Sequence, residues 1–164
     1  MLINGKKITG FIILIALFNL FGCSSTKRSG EPVATKDDYV MEANGDSDSG
    51  TAGPLKTVFF AFDSSVLRGE AQEALDANIE YLQEHHQMEL EIEGHCDERG
   101  SAQYNLALGE RRARVVYDYM VANGVDSLKL NFISYGKEKP VSFGHNRESW
   151  SQNRRANFVV KKLR

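Results

Sequence analysis

A break in composition near residue 54 limits what this chain can fold into. From Ser24 to Pro54 it consists mainly of Ser, Thr, Gly, Asp and Asn, with few large apolar residues. Runs such as Asn44-Gly45-Asp46-Ser47-Asp48-Ser49-Gly50 offer no face to bury, so the segment reads as a disordered linker. Any packed layer must come from residues 55–164, enough chain for one domain. Extended, the linker reaches about 100 Å at most, and as a coil it averages roughly 30 Å end to end.

Within 55–164 the apolar residues recur at the spacings of regular structure. Val58, Phe60 and Phe62 alternate as a buried strand. Asp63-Ser64-Ser65 offers a cap for a helix running to about His85, with Leu67, Ala71, Ala74, Leu75, Ile79 and Leu82 on one stripe. Met88, Leu90 and Ile92 alternate with Glu89, Glu91 and Glu93, a strand with one wet face. A second helix spans about Ala102 to Ala122 and stops at Asn123-Gly124. Leu128, Leu130 and Phe132 open a third strand ending near Tyr135, and Phe158 and Val160 mark a fourth. The order β-α-β-α-β-β predicts an α+β domain, a mixed sheet with helices packed on one face.

Residues 1–22 read as an export signal. Lys6 and Lys7 precede an apolar run from Ile8 to Phe21 that is shorter than the roughly 20 residues of a spanning helix. It closes on Leu20-Phe21-Gly22-Cys23, which resembles the bacterial lipobox, although Phe21 is bulkier than the residue usual there. That resemblance implies an acylated Cys23, a lipidated tether over 23–54 and, with Ser24 following the cysteine, delivery to the periplasmic face of the outer membrane. Net charge is −2 with no basic block, which argues against nucleic acid as a partner.

The stretch richest in chemistry is Gly94-His95-Cys96-Asp97-Glu98-Arg99-Gly100, followed by Tyr104-Asn105-Leu106-Ala107-Leu108-Gly109-Glu110-Arg111-Arg112-Ala113. A strand ending in a turn presents Asp97, and the next helix carries Arg112 back toward it. Such a pair suits a zwitterion, because the carboxylate accepts from an ammonium and the guanidinium grips a carboxylate through two parallel bonds. From spacing alone, an internal Asp97–Arg112 salt bridge without a ligand reads at least as well.

These motifs, with Phe59-Phe60-Ala61-Phe62-Asp63, Ile133 through Pro140 and Trp150 through Ala156, closely resemble the OmpA-like peptidoglycan-binding family, in the layout of its lipoproteins. The resemblance covers essentially all of 55–164. It implies a non-catalytic domain that binds the peptide stem of peptidoglycan at meso-diaminopimelate, tethering the outer membrane to the cell wall. Carried across, Asp97 and Arg112 hold the zwitterionic end, Asp63 and Phe62 form the opposite wall, and Leu108 packs nearby. It also implies work within the Tol–Pal system, with TolB as a periplasmic partner. Two departures stand out: Cys96 replaces a common Thr, and Ala61 replaces a common acidic residue.

The remaining polar residues have plainer readings. His95 and Cys96 are neighbours on an extended segment, so they point to opposite faces and make a poor nucleophilic dyad. No metal-ligand spacing involves His85, His86 or His95, and nothing calls for a cofactor. Arg154 and Arg155 could contact a ligand, although the family resemblance implies that one of them at least partly braces the last strand; the Glu89, Glu91, Glu93 row reads as a solvated face. Two rival functions remain: an anchoring lipoprotein of the same family outside the Tol–Pal system, and a cell-wall hydrolase, for which the chain offers no convincing acid, base or metal set.

Overall fold

The computed structural model describes residues 43–163, so the signal segment, Cys23 and most of the linker lie outside the described residues. In chain order the elements are β1 (Val58–Phe59), α1 (Gly69–Glu84), β2 (Met88–His95), α2 (Ala102–Ala122), a 3₁₀ turn (Ser127–Lys129), β3 (Leu130–Gly136), α3 (Arg147–Asn153) and β4 (Arg155–Leu163). The strands form one mixed sheet in the order β1-β4-β2-β3. β2 pairs parallel with β3 and antiparallel with β4, whose far edge holds β1. This is the expected α+β architecture, with the helices on one face.

Alternation along the strands creates the core. Leu90 and Ile92 on β2 and Ala156, Phe158 and Val160 on β4 meet Leu75, Ile79 and Leu82 of α1 and Ala113, Val116 and Met120 of α2. The intervening side chains face away from the helices, where Glu89 pairs with Lys162 and Glu91 with Lys161. Glu93 departs from the expected solvated row. It is buried, bonded to Asn157 and His95, and near Lys139. Burial pushes its carboxyl up, but those hydrogen bonds and the neighbouring positive charge outweigh it and hold the group low.

Several local expectations shift where distant residues take over backbone groups. β1 contributes only two residues to the ladder; beyond it, Arg154 Nε donates to Phe60 C=O and Arg112 Nη2 to Ala61 C=O. Asp63-Ser64-Ser65 caps no helix. α1 starts at Gly69 after Arg68, which makes no side-chain cap. Leu128 stands in the 3₁₀ turn at 90% exposure instead of opening β3. α3, absent from the sequence reading, is capped by Asn146, whose side chain accepts from Ser149 N–H.

The expected linker also ends earlier than Pro54. Asn44 N–H donates to Val160 C=O, Val160 N–H to Gly45 C=O and Ser47 N–H to Phe158 C=O, which extends the sheet along β4 beyond the two residues that β1 covers. Ala52 is fully buried in the core and Asp48 meets Arg155 at 2.6 Å. Composition hides this because backbone pairing needs no apolar side chains.

Candidate binding site

The site lies where β2 runs into α2. β2 ends at His95, Gly100 turns the chain at φ 89°, and Ser101 caps α2 by accepting from Tyr104 N–H. The buried Asn105 side chain donates to the carbonyls of Arg99 and Ser101, pinning the loop. Lys137 adds bonds to the carbonyls of Glu98 and Gly100. The loop is therefore fixed from three sides, as precise presentation of a side chain requires.

Arg112 is fully buried on the inner face of α2. Its Nε donates to Ser64 C=O at 2.9 Å, Nη1 to His95 C=O at 2.7 Å and to Cys96 Sγ at 3.3 Å, and Nη2 to Ala61 C=O at 3.1 Å. A guanidinium has five N–H groups, so these four acceptors account for all but one of them. Burial lowers its pKa, yet a guanidinium keeps its proton in proteins. The same residue ties the segment after β1 to the end of β2.

Asp97, also buried, does not pair with Arg112. Its carboxylate takes Arg99 Nη2 at 2.6 Å on Oδ2 and Arg99 Nε at 3.0 Å on Oδ1, with Arg154 Nη1 at 3.3 Å. Burial pushes the carboxyl up, but the bonds from Arg99 and Arg154 and the Arg99 charge hold it below the ordinary carboxylate range. It is an anion at neutral pH. The internal Asp97–Arg112 bridge that spacing allowed is not formed.

All five residues expected at the ligand line one cleft of about 160 Å³: Phe62, Asp63, Asp97, Leu108 and Arg112. Phe62 is 61% exposed at the rim and Leu108 is buried at the base. Asp63 sits in the left-handed region at φ 52° and accepts from Tyr104 O–H, which locks the outer wall to α2. Cys96 donates to Asn105 C=O, and burial raises its thiol pKa despite Arg112. His95 lies away from it, stacked on Tyr135 and bonded to Glu93, so the two form no dyad. Among the described residues, no group of three or more His, Cys, Asp or Glu side chains could hold a metal ion.

The sequence assigned no role to Arg99 or Tyr104, and Trp150 entered only through the motif that runs to Ala156. Arg99 lies over the rings of Phe62, at 4.0 Å, and Trp150, at 4.2 Å. Glu98 fastens the far side by accepting from Trp150 Nε1 and His145 Nδ1. The only sequence signal was the position of Arg99 two residues after Asp97 in a turn. A larger, shallower depression of about 540 Å³ beside β1 is bordered by Asp48 and Arg155, but those charges close on each other and offer no open pair.

The profile of the OmpA family matches residues 59–154. The chain belongs to the OmpA family. It is 48% identical over 109 residues to a peptidoglycan-associated lipoprotein of Pseudomonas aeruginosa, a match spanning 66% of this chain and 64% of that protein. It is 44% identical to the peptidoglycan-associated lipoprotein of Brucella melitensis, over 90% of each chain. Among solved structures, the peptidoglycan-associated lipoprotein of Burkholderia pseudomallei superposes with a TM-score of 0.63 at 43% identity, covering 66% of this chain and 93% of the other. The matched residues contain the whole cleft, from Phe62 to Arg112.

Proposed function

We propose that the domain binds the peptide stem of peptidoglycan at meso-diaminopimelate without catalysing a reaction. The observation that carries this reading is one cleft holding an ionised, buried Asp97 and a buried Arg112 with one N–H to spare. The side-chain end of diaminopimelate carries an ammonium and a carboxylate on one carbon, matching those two charges. Phe62, Asp63 and Leu108 complete the walls, and the cleft's size suits an amino-acid end instead of a glycan. Peptidoglycan-associated lipoproteins among the relatives support the same ligand class.

On this reading Cys23 carries the lipid, residues up to about 43 form the tether, and the assembly links outer membrane to cell wall. TolB and other Tol components are the partners that the likeness to these lipoproteins supports. Isothermal titration with stem tripeptides tests the ligand: the diaminopimelate peptide binds, and its lysine counterpart, lacking the side-chain carboxylate, binds at least about thirtyfold more weakly. Equal affinity for the two refutes the zwitterion clasp. Labelled palmitate entering wild type but not Cys23→Ser tests the anchor, and co-purification with TolB tests the Tol assignment.

A further inference from the structure

A compact group of charges lies on the sheet face away from the helices, outside the cleft. His95 of β2 and Arg155 of β4 are both buried there, and the pairing of Gly94 with Ala156 sets them opposite each other at the next step of the register. Glu93 and Asn157 form the neighbouring pair on the same face, joined by a hydrogen bond. Arg155 also holds the segment that precedes β1: its Nε donates to Asp48 at 2.6 Å, and its Nη2 donates to Lys139 C=O. Each of the two side chains keeps one buried nitrogen without a hydrogen bond, Nδ1 on His95 and Nη1 on Arg155. We propose that His95 is a proton-operated latch: a proton on its ring breaks the hold of Arg155 on Asp48 and lets the strap of residues 44–48 peel from the edge of β4.

Charge in this group balances only while the imidazole is neutral. Around it stand Glu93 on its own strand, Arg155 on β4, Asp48 on the strap and Lys139 after β3, with the Tyr135 ring of β3 stacked against it. Two cations thus face two anions. With the ring hydrogen on Nε2, directed at the Glu93 carboxylate 3.3 Å away, Nδ1 is an acceptor. A second proton makes Nδ1 a donor and the ring a cation beside Arg155, so donor meets donor and like charges meet. Burial holds the ring neutral in the closed state. With the strap away the ring meets water and takes its proton nearer the ordinary 6.5, so acid favours the open state. Peeling bares the backbone of Phe158 and Val160, a free edge for another strand. It also lengthens the leash by about 17 Å at most. That gain in reach rests on the tether reading above, whereas the latch does not.

Hydrogen exchange of the Ser47 and Val160 amides, which bond across the strap, reads the latch in the full chain. Their protection factors, corrected for the intrinsic pH dependence of exchange, are expected to fall about tenfold in wild type from pH 7 to pH 5, since each unit between the open and closed pKa is a factor of ten. His95→Gln has no ring to titrate, so its protection is expected to change less than about twofold over that range. Asp48→Asn removes the charge that Arg155 holds, and both amides are expected to exchange about tenfold faster than in wild type already at pH 7. Equal pH dependence in wild type and His95→Gln, or none in wild type, overturns the proposal. Wild-type protection in Asp48→Asn overturns the hold of Arg155 as the latch. That variant changes only the half-covered strap, so it and the wild-type profile decide the matter even if His95→Gln fails to melt cooperatively. No peptide enters these measurements, so their failure is distinct from failure of the stem-peptide reading.

Discussion

Gly94 on β2 and Gly109 on α2 meet so closely that a Cβ on Gly94 would lie 1.9 Å from the Gly109 carbonyl oxygen. A Cβ on Gly109 would lie 2.8 Å from Gly94 C=O and 2.3 Å from Ser134 Oγ. This contact sets how deep α2 sits, and Arg112 reaches the carbonyls of His95 and Ala61 only because α2 sits that deep.

Gly94→Ala is expected to push α2 outward, destabilising the domain by about 1–3 kcal/mol or more. Peptide binding should fall further than the fraction unfolded explains, because Arg112 and Leu108 move with the helix. Melting and titration of the same sample check this; a normal melt would show that the helix gives way without strain.

Asp97 and Arg112 should separate in their effects on stability and binding. Asp97→Asn keeps a similar shape and leaves Arg99 and Arg154 close to solvent or to other partners. It should lose only the stabilisation that the ionised carboxylate gives at neutral pH, less than Arg112→Ala loses, and lose at least about thirtyfold in peptide affinity. Arg112→Ala orphans the carbonyls of Ala61, Ser64 and His95, so it should lose on the order of 3 kcal/mol or more of stability as well. Arg112→Lys, with a shorter reach and no fork, should resemble Arg112→Ala. Equal melts for the Asp97 and Arg112 variants would contradict these assignments.

Acid should act through two groups with definite signs. Asp97 titrates lower folded than unfolded, so its stabilisation is complete above the ordinary value of 3.8 and is lost as pH falls through the lowered folded value. Peptide affinity should persist to about that same acid range and then collapse. His95 is also depressed, by burial first and despite its bond to Glu93. The unfolded chain takes up that proton near 6.5 while the folded chain stays neutral, so stability declines as pH drops below 6.5. Melting from pH 7 to pH 3 should show a shallower slope between 6.5 and 5 in His95→Gln, and a shallower slope at the acid end in Asp97→Asn.

A fragment beginning at Leu55 should be less stable than one beginning at residue 43. It lacks the backbone bonds of residues 44–47 to β4, the buried Ala52 and the Asp48–Arg155 pair. The expected loss is about 2–4 kcal/mol, and the bared β4 edge should raise the tendency to associate. Cooperative melts of the two fragments and their sedimentation check both points. Identical melting temperatures would return residues 43–54 to the tether.

The sequence alone determined the layers of this domain and the neighbourhood of its site. Alternation in Met88–Ile92, the stripe through Leu75, Ile79 and Leu82, and the Asn123-Gly124 stop report local geometry, and local geometry repeats at fixed spacing. The motif around Asp97 and Arg112 located the cleft because both residues lie within one strand-turn-helix unit. Only the tertiary structure decided which groups those residues bond. Asp97 met Arg99 and Arg154, and Arg112 took carbonyls from a segment some fifty residues away. Arg112's bond to Ser64 C=O ties Asp63-Ser64-Ser65 outside α1, and separate backbone bonds draw residues 44–47 onto β4. Hydrogen bonds between distant backbone and charged groups leave no periodic trace in a sequence, because their partners are set by how the layers pack.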